Sequence, residues 1–279
     1  MSDNICSDRR EPVPVRPQAA RWLKLASGLA TVHSMDDPKL EEYILETVTR
    51  KIAALALIQV REALQLIANA RPAEPQALRL AALRRYLRFQ NVENRDIHAS
   101  WAWTAREAEQ RSREEPALTL MTRAQAVQVA FARNNPTYSL ALSPVRSLAS
   151  QVSLWNGNPG VQAAASTLKT QMLQILDDPA YGLPPTAEQV DAFASRLQFA
   201  NINPEPGNAA PGLSSHGQMR AVDFVVMQGS TIVATTSVAT SETVWRAQGW
   251  AERVATLARQ ANLSGPLRVP DEPWHWWVQ

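Results

Sequence analysis

Residues 211–236 read PGLSSHGQMRAVDFVVMQGSTIVATT, and this stretch decides the fold. Residues 221–227 and 231–236 are rich in β-branched and apolar types, and Gln228, Gly229 and Ser230 between them supply turn chemistry, so a β-hairpin is predicted. Ahead of it, 203–212 alternates Pro, Gly and Asn and reads as a loop. Behind it, a helix is expected over 241–261 and a short strand-like tail over 272–278. Further upstream the periodicity predicts helices at 123–133, 146–155, 161–176 and 186–199, with a strand-like run at 138–142. The class is α+β: a small antiparallel sheet flanked by helices.

Toward the N-terminus the pattern becomes purely helical. Leu40, Tyr43, Ile44, Val48, Ile52, Leu55, Ile58, Leu64 and Ile67 recur near a 3.6 period. The spacing predicts one long helix over 37–70, with Asp37 as N-cap, Pro38 at the first position and Arg71-Pro72 as its exit. Two more helices are expected at 76–89 and 94–114. The organisation is then an arm at 1–34, a helical region at 35–115 and an α+β domain at 116–279.

Composition excludes several classes. With 45% apolar residues and a net charge of +2, the 279 residues cannot be globally disordered. A lone Cys6 rules out a disulfide scaffold. The longest largely apolar run, 52–60 with Gln59 inside it, falls far short of the roughly 20 residues a membrane-spanning helix needs. The first 18 residues lack the apolar core of a Sec signal, so a protein made in the cytoplasm is expected, reaching any outer compartment by lysis or specialised secretion. Arg84, Arg85, Arg88 and Arg95 form a basic cluster that a polyanion such as nucleic acid would meet, although such a run more often marks a solvated helix face.

Two of the four histidines have carboxylates nearby. His216 precedes Asp223 by seven residues, and Glu272 precedes His275 by three. Two His and one carboxylate complete the protein share of a catalytic zinc site, leaving a second carboxylate as base. A helix cannot deliver the first pair, because a separation of seven residues is roughly 10 Å along its axis. An unbroken strand cannot either, since an odd separation puts the two on opposite faces. A turn must intervene, and Gly217 is placed to allow one. Pro273 biases Glu272 toward extended geometry, after which Trp274, His275 and Trp276 alternate with His275 aimed at the metal.

The segment PGLSSHGQMRAVDF resembles the S-x-H-x-x-G-x-A-x-D signature of the D-alanyl-D-alanine carboxypeptidase family of zinc peptidases, the VanY type, which includes phage L-alanyl-D-glutamate endopeptidases. Ser214, His216, Ala221 and Asp223 match, and Met219 replaces the motif Gly. Glu272, Trp274 and His275 match the family's E-x-W-H, and Arg146, Ser147 and Gln151 match its arginine segment. The resemblance spans about 117–279. It implies Zn2+ held by His216, Asp223 and His275, Glu272 as general base, and Arg146 stabilising the developing oxyanion. It also implies a peptidoglycan stem peptide as substrate, cut at D-Ala-D-Ala or L-Ala-D-Glu, as by an endolysin or an injected effector. Gln151, Ser214 and Trp274 are candidates for the substrate groove, with turn-capping and core packing as their ordinary alternatives.

His33 and His98 have no ligand-spaced partners and are expected to be structural or on the surface. Two rival functions remain: a catalytically inactive binding or structural protein on the same fold, and a polyanion binder working through the arginine cluster. The helical region is a candidate surface for a protein partner.

Overall fold

The computed structural model describes residues 36–92, 96–102, 105–143 and 146–279. The expected arm at 1–34, with Cys6 and His33, lies outside the described residues, as does Arg95. Helix α1, Pro38–Lys51, starts as its sequence predicts. Asp37 caps it by accepting from the Leu40 N–H at 2.8 Å, and Pro38 occupies the first turn, where no N–H is needed.

The expected single helix over 37–70 is broken. Ile52 is extended, and the chain restarts as α2, Leu57–Asn69. The cause is tertiary: Gln90, on α3 (Pro75–Val92), accepts from the Ala53 N–H and donates to the Lys51 carbonyl, both at 3.2 Å. One side chain thus takes over two backbone groups that continued helix would have paired. The helix expected at 94–114 is reduced to α4, Ala105–Arg111. Residues 97–100 form a turn instead, in which Asp96 Oδ1 accepts from the His98 N–H at 2.8 Å and competes with helix continuation.

The next helix, α5 (Ala117–Asn134), starts well ahead of its expected span at 123–133, and β1 (Ser139–Leu142), α6 (Leu148–Gly157), α7 (Pro159–Leu176) and α8 (Ala187–Gln198) fall close to theirs. Ser147, Asn158 and Thr186 cap the last three helices through their side-chain oxygens. The hairpin is β2 (Ala221–Gln228) and β3 (Thr231–Ala234). The helix expected over 241–261 appears as two pieces, a π-helical segment Ser241–Arg246 and α9, Trp250–Gln260. Gly249 sits between them at φ 69°, a conformation cheap only for glycine.

All strand pairings are antiparallel. β1 lies along the second half of β2 with Leu142 opposite Phe224. The tail strand β4, His275–Trp277, lies along the first three residues of β2, with Asp223 opposite His275. Alternation then sorts the side chains. Val222, Phe224 and Val226 enter a core with Trp274, Trp276 and Val278, closed by α5 and α9. Asp223 and His275 take the other face of the sheet.

A second core is helical and joins α1, α2 and α3 to α6, α7 and α8. Helices before residue 92 and after residue 148 share it; Trp155 Nε1, for example, donates to the Leu78 carbonyl at 3.3 Å. Asp36–Gln279 form one compact unit. Among the described residues, no helix is long and apolar enough to cross a membrane.

Candidate metal centre

Register brings the first two residues of the site together. Asp223 and His275 are cross-strand partners on one face, which puts their side chains within reach by backbone pairing alone. His216 arrives by a different route. Residues 215–219 form a turn closed by Gly217 N–H to Ser214 O at 3.0 Å and Met219 N–H to His216 O at 3.1 Å. The left-handed residue of that turn is Met219, at φ 55°, not Gly217. Met219 stands where the resembled motif has Gly, so the turn adopts a glycine-type conformation without the glycine. Its side chain is buried against Ala117. Gly217 is needed for another reason: a Cβ there would lie 2.4 Å from Ala102 Cβ and 2.5 Å from Gln151 Nε2.

Three ligand-type atoms converge. His275 Nδ1 lies 3.0 Å from Asp223 Oδ1, His216 Nε2 lies 3.3 Å from the same oxygen, and the two nitrogens are 3.1 Å apart. A tetrahedral ion with bonds of ~2.0–2.1 Å separates its ligand atoms by about 3.3 Å. Protons alone do not explain the triangle. With Asp223 ionised, protonating both nitrogens sets two donors face to face. Protonating only one leaves the other nitrogen's lone pair against the carboxylate. A central cation satisfies all three contacts, so the donor set fits a divalent metal. The same three residues are the group of His, Cys, Asp or Glu able to hold a metal among the described residues.

Electrostatics favour the ligand forms. Burial pushes the His216 imidazole toward its neutral, coordinating state, against the pull of Asp223. Burial also opposes ionisation of Asp223, but the polar contacts and charge of His216 and His275 beside it outweigh that and hold the carboxyl well below its usual range. Glu272 Oε2 stands 3.8 Å from His275 Nδ1, near the centre yet outside the triangle. Burial, reinforced by the negative charge of Asp223, raises its carboxyl above the ordinary value.

Arg146 also reaches the centre, with its guanidinium donating to Asp223 Oδ2 at 2.8 Å. It therefore contacts the aspartate oxygen that the two histidines leave free. The three residues expected in a substrate groove lie inside the protein. Gln151 is buried beneath the His216 turn, Ser214 is buried at the start of it, and Trp274 packs at a tilt against Trp245 in the sheet core. His98 is exposed. A cleft of about 550 Å³ lined by Thr119, Arg123, Arg259 and Asn262 involves none of the site residues.

Three of the four clustered arginines have internal partners. Arg84, Arg85 and Arg88 surround Glu205 at 2.7, 3.2 and 3.0 Å, and Arg84 is itself buried. Sequence reasoning missed this clasp because Glu205 sits more than 115 residues away in the loop after α8. It also missed the position of Gln151, whose only signal was its spacing of five residues after Arg146. Comparison of the chain with protein-family models, curated proteins and solved structures finds no match.

Proposed function

We propose that this chain is a zinc-dependent peptidase that hydrolyses a peptide bond in peptidoglycan stem peptides, either the terminal D-Ala-D-Ala bond or L-Ala-D-Glu. The observation that carries the metal part is the triangle of His216, Asp223 and His275, whose three atoms lie 3.0–3.3 Å apart. The substrate class rests on the resemblance of the motifs around Arg146, His216 and His275. Such an enzyme meets its substrate at the wall or in the periplasm.

A bound zinc ion supplies Lewis acidity and lowers the pKa of water toward about 7. Glu272 removes the proton from the attacking water and returns it to the leaving amine; its raised carboxyl suits a group that must hold that proton in between. The planar guanidinium of Arg146 has donors beyond the one given to Asp223 and stabilises negative charge on the scissile carbonyl. The engagement of Arg84, Arg85 and Arg88 with Glu205 weighs against the polyanion reading. A second reading keeps the metal and drops the chemistry, and the burial of Gln151, Ser214 and Trp274 favours it.

Glu272→Ala separates the two. On purified sacculi, with products followed by mass spectrometry, turnover should fall by about 10²–10⁴-fold. Zinc stoichiometry by metal analysis should stay unchanged. A parent protein that is fully zinc-loaded and releases no fragment favours the non-catalytic reading, and a variant that digests sacculi like the parent removes Glu272 from the mechanism.

A further inference from the structure

Gln151 joins the segment that carries His216 to Arg146, the residue that holds Asp223 from behind. Its Nε2 donates to the Arg146 carbonyl at 3.0 Å, and its Oε1 accepts from the Gly212 N–H at 2.9 Å. The backbone of Gly217 rests directly on the same amide, with no room for a side chain between them. Gly212 lies in the short turn just ahead of the one that carries His216. Arg146 holds Asp223 through Oδ2. Arg146 and residues 207–220 lie outside the strands and helices, and Gln151 is one of the side chains that bridge them.

We infer that Gln151 is a positioning residue that keeps the His216 turn and Arg146 in register, so that His216 Nε2 and Asp223 Oδ1 reach the same ion. The inference rests on the metal-binding reading above and deepens it. A buried amide suits this task because it has both a donor and an acceptor on one rigid plane, and each is spent on a backbone group of a different segment. Backbone groups carry the turn with them, whereas a bond to a side chain would not. With Gln151 in place, Asp223 is also held from behind: Arg146 occupies Oδ2, and Oδ1 alone faces the histidines. Loss of the amide leaves the Gly212 N–H and the Arg146 carbonyl without this partner, and the His216 turn loses one of the contacts that seat it against Asp223.

The probe is Co2+ alone, added to the full chain and read by its visible absorption band and by titration. Gln151→Met fills the same space without hydrogen bonds and should weaken Co2+ binding about 10–100-fold, the usual range for loss of a supporting partner behind a ligand, and diminish the tetrahedral band. Gln151→Glu keeps the acceptor for Gly212, loses the donor to Arg146, and should fall between, which also covers the case in which Gln151→Met does not fold. Leu168→Ala, in the helical core, is the control for general destabilisation and should bind Co2+ like the parent. Parent-like Co2+ affinity in the folded Gln151 variants overturns the inference and leaves the metal reading standing. So does an equal loss in Leu168→Ala. A parent chain that takes up no Co2+ overturns the metal reading, and this inference with it.

Discussion

At the scale of single residues, the centre is built by side chains that are absent as much as by those present. Gly217 lets the His216 turn lie flat on Ala102 and Gln151; a methyl group there would stand 3.1 Å from the Arg146 carbonyl as well. Two of these three neighbours are a Cβ and a backbone oxygen, which cannot swing aside, so Gly217→Ala forces the turn to move. Overpacking of this kind costs about 1–3 kcal/mol. The variant should lower Tm by roughly 2–10 °C at about 2–4 °C per kcal/mol and weaken zinc binding, as measured by thermal unfolding and titration. Parent-like values for both would mean the turn is not in close contact with Gln151. Met219 shows the converse case: a left-handed residue that is not glycine is held in place by burying its side chain on Ala117, with backbone strain offset by packing.

At the scale of elements, register does the work. Because Asp223 pairs with His275 across β2 and β4, a slip of one residue would send both side chains into the tryptophan core. The burial of Trp274 and Trp276 makes that slip costly, so the hydrophobic pattern of the tail protects the metal geometry. The loop leading to the His216 turn is secured by a different device, the clasp of α3 arginines on Glu205. Burial would raise the Glu205 carboxyl, but the hydrogen bond from Arg84 and the charges of Arg85, Arg84 and Arg88 outweigh it and hold the group below its ordinary value. The folded value thus lies below the unfolded one. The ionised clasp stabilises the protein above about pH 4.5, and this contribution disappears as pH falls through the folded value. Glu205→Gln should cost about 2 kcal/mol at pH 7, between the values for exposed and buried pairs, and should flatten the acid limb of a denaturation series. An unchanged acid limb would show that the clasp contributes nothing to folding.

At the scale of the whole molecule, two cores meet at the centre. The helical core reaches it through Tyr86, whose hydroxyl donates to the Pro211 carbonyl at 2.6 Å, and through Ala102, whose N–H donates to the Gly212 carbonyl at 2.7 Å. The sheet core reaches it through Asp223 and His275. A metal bridging these contributions ties both to one event, since the three ligands come together only in the folded chain. Free zinc at 100 times its dissociation constant should therefore stabilise the fold by about 2.7 kcal/mol, a rise in Tm of roughly 5–10 °C at this chain length. A chelator should reverse the rise, and His216→Ala should abolish it. A Tm indifferent to zinc would remove the metal centre from the description of this protein.

The sequence by itself determined what is local. The cap at Asp37, the hairpin about Gly229, and the alternation of the tryptophan tail are all written within a few residues of where they act, because turns, caps and side-chain periods are short-range. The candidate ligands His216, Asp223 and His275 were suggested by residue type and spacing and singled out by the resemblance of the motifs that hold them. What only the tertiary structure decided depends on groups far apart in the chain. Gln90 breaks a helix that its periodicity would have continued, because a folded neighbour offers better partners for the backbone than the helix does. Gln151 lies under the centre, Trp274 enters the core, and Arg84 meets Glu205, because each is placed by a contact between segments that no local pattern encodes. The convergence of three ligand atoms within hydrogen-bonding distance is likewise a property of the β2–β4 register and the His216 turn acting together.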